Sequence, residues 1–220
     1  MIKGIFFDAG GIFYKREEPS RSFAVRLVKE QGYTTELTTE DEARLRTFKE
    51  QASNGWISAQ DYWDEYLKMH AVGDPVKRTE LVDKILTHVN TVVGLPGAHE
   101  AVKILKERGF ILGVITSTMY PLEWKMSWLA AAGVVDYIDV IACSSAVGWD
   151  KDHPTIYWAA LNKANVNPWQ AAYVANGAKE LAEAHQIGMA TVAVLYDSDA
   201  KADYYVQSLP DLLTVPIFQV

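Results

Sequence analysis

The chain has 220 residues, of which 49% are hydrophobic and 22% charged, and its formal net charge at pH 7 is −7. This composition is typical of a globular protein, and the acidic balance argues against nucleic acid or an anionic membrane as the main partner. The single cysteine, Cys143, excludes an internal disulfide, and no signal-peptide pattern or bilayer-length apolar run is present, so we expect a cytoplasmic protein.

The first predicted element is a buried strand, Ile5-Phe6-Phe7, which ends at Asp8. Ala9-Gly10-Gly11 follows and predicts a turn, because glycine reaches backbone angles that other residues avoid. A carboxylate at the carboxyl end of a buried strand lies where open α/β sheets bind ligands. Asp8 is therefore a candidate nucleophile.

The next stretch, from Lys15 to about Thr91, contains no strand-like run and predicts a helical insert. Thr38 or Thr39 fits an N-cap, as does Ser58, and Pro75 suits a first helical turn. The four predicted helices cover residues 20–31, 39–54, 58–69 and 75–89.

The chain is expected to return to the sheet at residues 93–97. A helical block inserted directly after the first strand predicts a cap over the carboxyl edge of the sheet. We therefore expect a cap domain of residues 15–92 and a core domain made of residues 1–14 and 93–220.

The remainder of the chain alternates apolar runs with amphipathic patterns. The predicted strands cover residues 111–115, 140–142, 172–174 and 190–195, and the predicted helices cover residues 98–108, 154–164 and 180–186. This alternation predicts an α/β fold with a Rossmann-like, mostly parallel sheet that has helices on both faces.

Polar side chains follow several of these strands. Because the loops at the carboxyl ends of parallel strands converge on one crevice, we expect these residues to share a site: Asp8, Thr116, Ser117, Lys151, Asn176 and Glu180. A carboxylate can attack phosphorus or carbon and hold a covalent ester. A neighbouring lysine keeps such a carboxylate ionised and offsets the charge of an anionic substrate.

Four segments, in this order, resemble the motifs of the haloacid dehalogenase (HAD) superfamily, of the helical-cap (C1) kind. Residues 8–12, Asp-Ala-Gly-Gly-Ile, stand where the family has Asp-x-Asp-x-Thr; Thr116 stands where it has Ser or Thr; Lys151 stands where it has its lysine; and residues 175–180 stand where it has Gly-Asp-x-x-x-Asp. The resemblance covers the whole chain.

The resemblance implies a nucleophilic Asp8 in a degenerate active site. Family phosphatases carry a second Asp, as general acid and base, where this chain has Gly10, and a Thr where it has Ile12. They bind Mg²⁺ partly through an Asp that is Asn176 here, with Glu180 at the outer acidic position. An amide is a poorer magnesium ligand than a carboxylate, so any Mg²⁺ site on Asp8 and Asn176 is expected to be weak, with Glu180 as outer-sphere support.

The 2-haloacid dehalogenases of the family lack the second acid and need no metal. Their third motif has a tyrosine six residues after the lysine, as Lys151 and Tyr157 do here, but residues 175–177 do not reproduce their fourth motif. Those enzymes also hold the substrate carboxylate with an arginine of the cap. Arg16 and Arg21 are the arginines nearest to the hinge of the insert.

We therefore expect a hydrolase acting on a small anionic molecule between core and cap. Asp8 is assigned as the nucleophile, Lys151 as its charge partner and Thr116 as a donor to the substrate. The residues expected to bind substrate are Gly10, Gly11, Ser117 and Tyr157. Two alternatives stay open: a metal-independent 2-haloacid dehalogenase, and a weakly active or inactive relative that binds or regulates. For Glu180, structural support of its loop is the favoured role. The sequence does not indicate an oligomeric state.

Overall fold

A six-stranded parallel sheet forms the centre of the molecule in the computed structural model, which describes residues 1–34 and 36–219. The strands are β1 (Gly4–Phe7), β4 (Ile111–Thr116), β5 (Val140–Cys143), β6 (Ala171–Ala175), β7 (Ala190–Val194) and β8 (Tyr204–Val206). Their order is β5-β4-β1-β6-β7-β8, and every neighbouring pair is parallel. The predicted α/β class is confirmed.

Helices cover both faces of the sheet. They are α5 (Ala98–Glu107), α6 (Leu122–Ala131), the short α7 (Ser144–Val147), α8 (Pro154–Ala164) and α9 (Ala178–Ile187). Side chains alternate across β1, so that Ile5 and Phe7 pack into one apolar core while Phe6 packs into the other, against α8 and α9. Both faces of the strand are therefore buried, which explains its uninterrupted apolar run.

The helical insert consists of α1 (Ser20–Glu30), α2 (Thr39–Ser53), α3 (Ala59–Met69) and α4 (Pro75–Val89), as predicted. Thr38 and Ser58 each form a capping box with the aspartate three residues later. Pro75 occupies the first turn of α4 behind the N-cap Asp74. We call α1–α4 the insert; its status as a separate domain of residues 15–92 stays a prediction.

A two-stranded ribbon stands at the base of the insert. β2 (Tyr14–Lys15) pairs antiparallel with β3 (Val93–Gly94). The prediction that the chain re-enters the main sheet at residues 93–97 was wrong, because this segment pairs with β2 instead. The chain rejoins the main sheet only at β4. Within the described residues, no helix combines the length and the apolar character needed to span a bilayer.

The insert packs on the loops that follow β4 and β5. Trp63 of α3 donates a hydrogen bond from Nε1 to the Tyr120 hydroxyl at 3.2 Å. Gly55, at φ +73°, lies so close to Ser145 that a Cβ there would stand 2.5 Å from the Ser145 carbonyl oxygen. The insert therefore covers the carboxyl edge of the sheet at these two strands.

Candidate active site

The carboxyl ends of β1, β4 and β6 bring the predicted residues to one edge of the sheet. β1 lies between β4 and β6, so the loop that begins at Asp8 has the Thr116 loop on one side and the Asn176 loop on the other. Asp8 is 8% exposed and its backbone N–H donates to the Val174 carbonyl at 3.0 Å. The strand order alone therefore assembles the site.

Lys151 connects two carboxylates across this edge. Its ammonium lies 2.7 Å from Asp8 Oδ1 and forms a second ion pair with Glu180 Oε2. All three side chains are largely buried, so solvent screens these ion pairs much less than it would on the surface. We call Asp8, Lys151 and Glu180 the carboxylate side of the site.

The pKa values on the carboxylate side follow from these contacts. Burial by itself lowers the pKa of Lys151, but the charges of Asp8 and Glu180 outweigh it, so the pKa of the lysine is raised. Burial and the negative charge of Asp8 raise the pKa of Glu180, although Lys151 opposes this change. Lys151 therefore stays cationic and holds positive charge against Asp8.

Neighbouring groups fix Glu180 in place. Its Oε1 accepts a hydrogen bond from the Gly177 backbone N–H at 3.1 Å, and its Oε2 accepts one from the Tyr173 hydroxyl at 3.0 Å. The first of these contacts also caps α9. Glu180 therefore supports its own loop, as the sequence favoured, and in addition touches Lys151, which the sequence did not predict.

Ser117 and Tyr157, both predicted to bind substrate, support the backbone around Lys151. The Ser117 hydroxyl accepts a hydrogen bond from the Lys151 N–H at 2.9 Å. Tyr157 is fully buried, and its hydroxyl donates to the carbonyls of Lys151 and Glu180 at 3.2 and 3.3 Å. In this structure Tyr157 therefore positions the lysine loop and does not line the cleft.

Thr116 ends β4 beside β1 and is 1% exposed. Its hydroxyl makes no hydrogen bond to any residue in the described part of the chain. A hydroxyl without a protein partner at this edge is available to a ligand, which is compatible with the predicted role as a donor.

The two glycines of the turn after Asp8 have different surroundings. Gly11 has φ +79°, and a Cβ there would lie 2.8 Å from Nδ2 of Asn176, so only glycine fits comfortably. Gly10 is exposed, and a Cβ built on it meets nothing within 4 Å. The space for a side chain at Gly10 is present, but no acid occupies it.

The acidic side chains do not fit Mg²⁺, which prefers several oxygen ligands. Both oxygens of Glu180 already accept hydrogen bonds, and the Lys151 ammonium holds one oxygen of Asp8. Asn176 supplies a neutral amide, with its Nδ2 beside Gly11, where a carboxylate would hold Mg²⁺ more strongly. Among residues 1–34 and 36–219 no three His, Cys, Asp or Glu are arranged as metal ligands. The weak Mg²⁺ site predicted on Asp8 and Asn176 does not match this donor set.

The opposite flank of the site contains a second buried lysine, which the sequence analysis missed. Lys125 of α6 is 6% exposed, and its Nζ donates to the Tyr14 hydroxyl at 2.9 Å. The ammonium also lies 5.0 Å from the ring centroid of Trp128, and Arg16 lies over the same ring at 4.5 Å. We call Lys125, Tyr14, Arg16 and Trp128 the aromatic side of the site.

The two hinge arginines have different surroundings. Arg16 donates from Nε to the Val89 carbonyl at 2.7 Å, while its buried Nη2 has no hydrogen-bond partner in the described residues. Arg21 is exposed and pairs with Glu42 on the surface of the insert. Of the two arginines, Arg16 is the one whose side chain is partly buried beside the site.

A cleft of about 550 Å³ opens beside the carboxylate side. The insert contributes Lys49 and Ser53 to its walls, and the core contributes Ser117, Lys151 and residues 177–180. Its volume suits a small molecule. Trp56 of the insert is 62% exposed and does not line this cleft.

The site thus combines an ionisable nucleophile, a buried cation paired with it, an unpartnered hydroxyl and a second buried cation. These groups suit attack by a carboxylate on an electrophile that carries negative charge. Lys125, the group that the sequence missed, has the large apolar neighbours Trp124 and Met126 on either side, and Trp128 follows one helical turn later. A lysine flanked by large apolar side chains was the available signal.

Comparisons with known proteins agree on the family. A family model described as "Haloacid dehalogenase-like hydrolase" matches residues 5–194. The chain is 28% identical, over 204 residues, to a glyceraldehyde 3-phosphate phosphatase of Methanopyrus kandleri, covering 88% of this chain and 84% of that protein.

Two solved structures show the same fold. A 2-haloacid dehalogenase from Pseudomonas syringae pv. Tomato DC3000 aligns with a TM-score of 0.70 and 21% identity, over 97% of both chains. A predicted phosphoglycolate phosphatase from Haemophilus somnus 129PT aligns with a TM-score of 0.69 and 18% identity, also over 97% of both chains. At these identities the structural likeness concerns the fold alone.

Proposed function

The chain belongs to the haloacid dehalogenase-like hydrolase family, and we propose that it hydrolyses a small anionic substrate through a covalent ester on Asp8. The observation that carries this proposal is the buried ion pair between Asp8 and Lys151, at 2.7 Å. A cation at this distance favours the ionised carboxylate, which is the nucleophilic form.

The expected reaction has two steps. An oxygen of Asp8 attacks the electrophilic centre, and the bond to the leaving group breaks. Water then cleaves the ester and restores the carboxylate. Lys151 offsets the charge of the substrate anion, and the Thr116 hydroxyl donates a hydrogen bond to it. Ser117, Tyr157 and Glu180 act on Lys151 by fixing its loop and its ammonium.

Turnover is expected to be independent of Mg²⁺. The oxygen atoms of Glu180 are committed to Lys151, Tyr173 and a backbone N–H, and Asn176 replaces a metal-binding carboxylate. The positive charge beside Asp8 comes from the largely buried ammonium of Lys151 instead.

A phosphate monoester is the first substrate class to test, because the similarity to a glyceraldehyde 3-phosphate phosphatase covers most of both chains. A 2-haloacid is the second class. Gly10 favours it, since a departing halide needs no proton and therefore no general acid.

The test is a panel of small phosphate monoesters and 2-haloacids, assayed for phosphate and halide release with Mg²⁺ or with EDTA. We expect turnover in EDTA, and its loss by about 10³-fold or more in Asp8→Asn, because the amide is not a nucleophile. Asp136→Asn, at an exposed acid remote from the site, is the matched control.

Turnover that survives Asp8→Asn would contradict the nucleophile. Strict dependence on Mg²⁺ would contradict the metal-independent reaction. Failure of the wild type to turn over any compound, combined with saturable binding of the same anions, would support the alternative of a binding protein.

A further inference from the structure

Lys125 is a buried cation that the reaction proposed above does not use. A protonated lysine has three N–H donors, and the only hydrogen bond that Lys125 Nζ makes among residues 1–34 and 36–219 is to the Tyr14 hydroxyl. Burying an ammonium with unsatisfied donors costs free energy, so such a group commonly has a functional reason. Two of its three donors therefore have no acceptor among the described residues.

The position of Lys125 is connected to the glycine turn that lacks an acid. Tyr14 forms a β-bridge with Gly10, and its carbonyl accepts a hydrogen bond from the Gly11 N–H at 2.9 Å. The Tyr14 hydroxyl then reaches Lys125 Nζ at 2.9 Å. The loop that carries Asp8 and Gly10 therefore also holds, through one tyrosine, the ammonium of Lys125.

The charges around Lys125 come from the active site. The titratable or charged groups that act on its ammonium are Asp8 after β1, Arg16 after β2, Cys143 of β5 and Lys151, together with its hydrogen-bond partner Tyr14. Asp8 is the only carboxylate among them and has the largest electrostatic effect. Lys125 therefore belongs to the active site electrostatically, and not to a separate surface network.

We propose that Lys125 is the proton donor to the leaving oxygen of a phosphate monoester, in place of the acid absent at Gly10, with Tyr14 holding its ammonium. This inference rests on the proposed function and narrows it to substrates whose leaving group requires a proton. Lys151 remains the charge partner of Asp8, because its ammonium is already shared between two carboxylates.

Burial supports this role. It lowers the pKa of Lys125 to about 8, against the opposing effect of Asp8, whereas an exposed lysine has a pKa near 10.5. At pH 7 the side chain still carries its proton, and it releases that proton more readily than an exposed lysine does.

The reaction balances as follows. Asp8 attacks phosphorus, the bond from phosphorus to the alcohol oxygen breaks, and that oxygen receives a proton from Lys125 Nζ. The neutral amine next accepts a proton from the water that attacks the aspartyl phosphate. The bond from phosphorus to Asp8 then breaks, inorganic phosphate leaves, and both Asp8 and Lys125 return to their starting forms.

The test uses the dependence of rate on the leaving group. In Lys125→Met, kcat/KM for alkyl phosphates is expected to fall by about 10²- to 10³-fold, because an alkoxide leaves poorly without a proton. For 4-nitrophenyl phosphate, whose leaving phenolate needs no proton, the expected loss is under about fivefold. Lys163→Met, at an exposed lysine of α8, is the control and is expected to match the wild type with both substrates.

A second variant restores an acid where the chain has none. An aspartate at Gly10 meets no steric obstacle at Cβ, so Gly10→Asp combined with Lys125→Met is expected to recover activity on alkyl phosphates by at least about tenfold. Circular dichroism and urea unfolding establish that each variant is folded before its rates are compared.

Each outcome decides the assignment. An equal fall in kcat/KM for alkyl phosphates and 4-nitrophenyl phosphate would overturn the role of Lys125 as proton donor and assign it to anion binding. The nucleophilic role of Asp8 would stand. No loss in Lys125→Met would overturn the proton-donor role as well. Halide release without phosphate release by the wild type would overturn this inference and leave the nucleophile intact. Absence of all turnover would overturn the proposed function itself.

Discussion

The two flanks of the candidate active site bury lysines in opposite ways. On the carboxylate side, Lys151 lies between Asp8 and Glu180 and has a carboxylate on each of two sides. On the aromatic side, Lys125 contacts a phenol hydroxyl and the faces of two aromatic rings, and no carboxylate is within ion-pair distance among the described residues.

The difference appears in the direction of the two pKa shifts. Both lysines lose hydration, which alone lowers the pKa of each. The carboxylates reverse this effect for Lys151 and raise its pKa, whereas the aromatic surroundings leave the pKa of Lys125 at about 8. One lysine is therefore a permanent counter-charge, and the other is a group that can exchange a proton near neutral pH.

The largest change in the free energy of unfolding is expected when the lysine of the carboxylate side, Lys151, is removed. Lys151→Met leaves Asp8 and Glu180 buried without their cation, which should lower the free energy of unfolding by about 3–5 kcal/mol at pH 7. Urea unfolding followed by circular dichroism measures this change. A loss below about 1 kcal/mol would show that hydration by water, and not Lys151, stabilises the charges of the two carboxylates.

Lys125→Met is expected to act in the opposite direction. It removes a buried ammonium that the aromatic side compensates poorly, and methionine fills a similar volume, so the free energy of unfolding should rise by roughly 1–3 kcal/mol at pH 7. A variant that loses activity while it gains stability is the expected signature of a functional group.

The same variant gives a pH test with a defined sign. The pKa of Lys125 is lower in the folded state, about 8, than the usual value of 10.5, so the unfolded chain binds the extra proton between these values. The free-energy cost of burying the charged Lys125 is therefore fully present below about pH 8 and disappears as pH rises toward 10.5. The stability advantage of Lys125→Met over the wild type should therefore shrink over this window. A constant difference would contradict the lowered pKa.

A smaller effect is expected at Glu180. Glu180→Gln keeps an oxygen for the Gly177 N–H but removes one of the two charges on Lys151, so a loss of about 1–2 kcal/mol in unfolding free energy is expected at pH 7. Because burial raises the pKa of Glu180, the folded wild type takes up a proton at higher pH than the unfolded chain does, so the wild type gains stability as pH falls and its advantage over Glu180→Gln should widen. Glu107→Gln, at an exposed glutamate, is the control and should change nothing measurable.

The smallest effect is expected at Tyr157. Tyr157→Phe removes the hydroxyl that donates to the Lys151 and Glu180 carbonyls but keeps the buried ring, so about 1 kcal/mol of stability should be lost. Because the hydroxyl does not line the cleft, KM should stay within about twofold of the wild type. A tenfold rise in KM would instead support the predicted contact with substrate.

Much of the fold follows from sequence pattern. Four insert helices, five of the six sheet strands and the flanking helices α5, α8 and α9 have strong periodicity or clear caps, such as Thr38 and Ser58. The three-residue β8 has too little pattern to identify. α6 is apolar on nearly every side, so no amphipathic period marks it, and β2 and β3 are two residues each.

The site was predictable to the extent that topology determines it. Parallel strands deliver Asp8, Thr116 and the Asn176 loop to one edge, and this convergence requires no side-chain detail. The contact between Lys151 and Glu180 depends on where two long side chains turn, and Lys125 reaches the site only because α6 packs beside β2. Such contacts depend on tertiary packing, which spacing along the chain does not encode.

Chemical trapping of the covalent ester tests the nucleophile most directly. Borohydride reduces an aspartyl phosphate to homoserine, so wild-type protein reacted with a phosphate monoester that it turns over, quenched with borohydride and mapped by peptide mass spectrometry, should carry homoserine at position 8. Protein without substrate, and Asp8→Asn with substrate, should carry none. Homoserine at another position, or unmodified Asp8 in protein that turns over under the trapping conditions, would contradict the account.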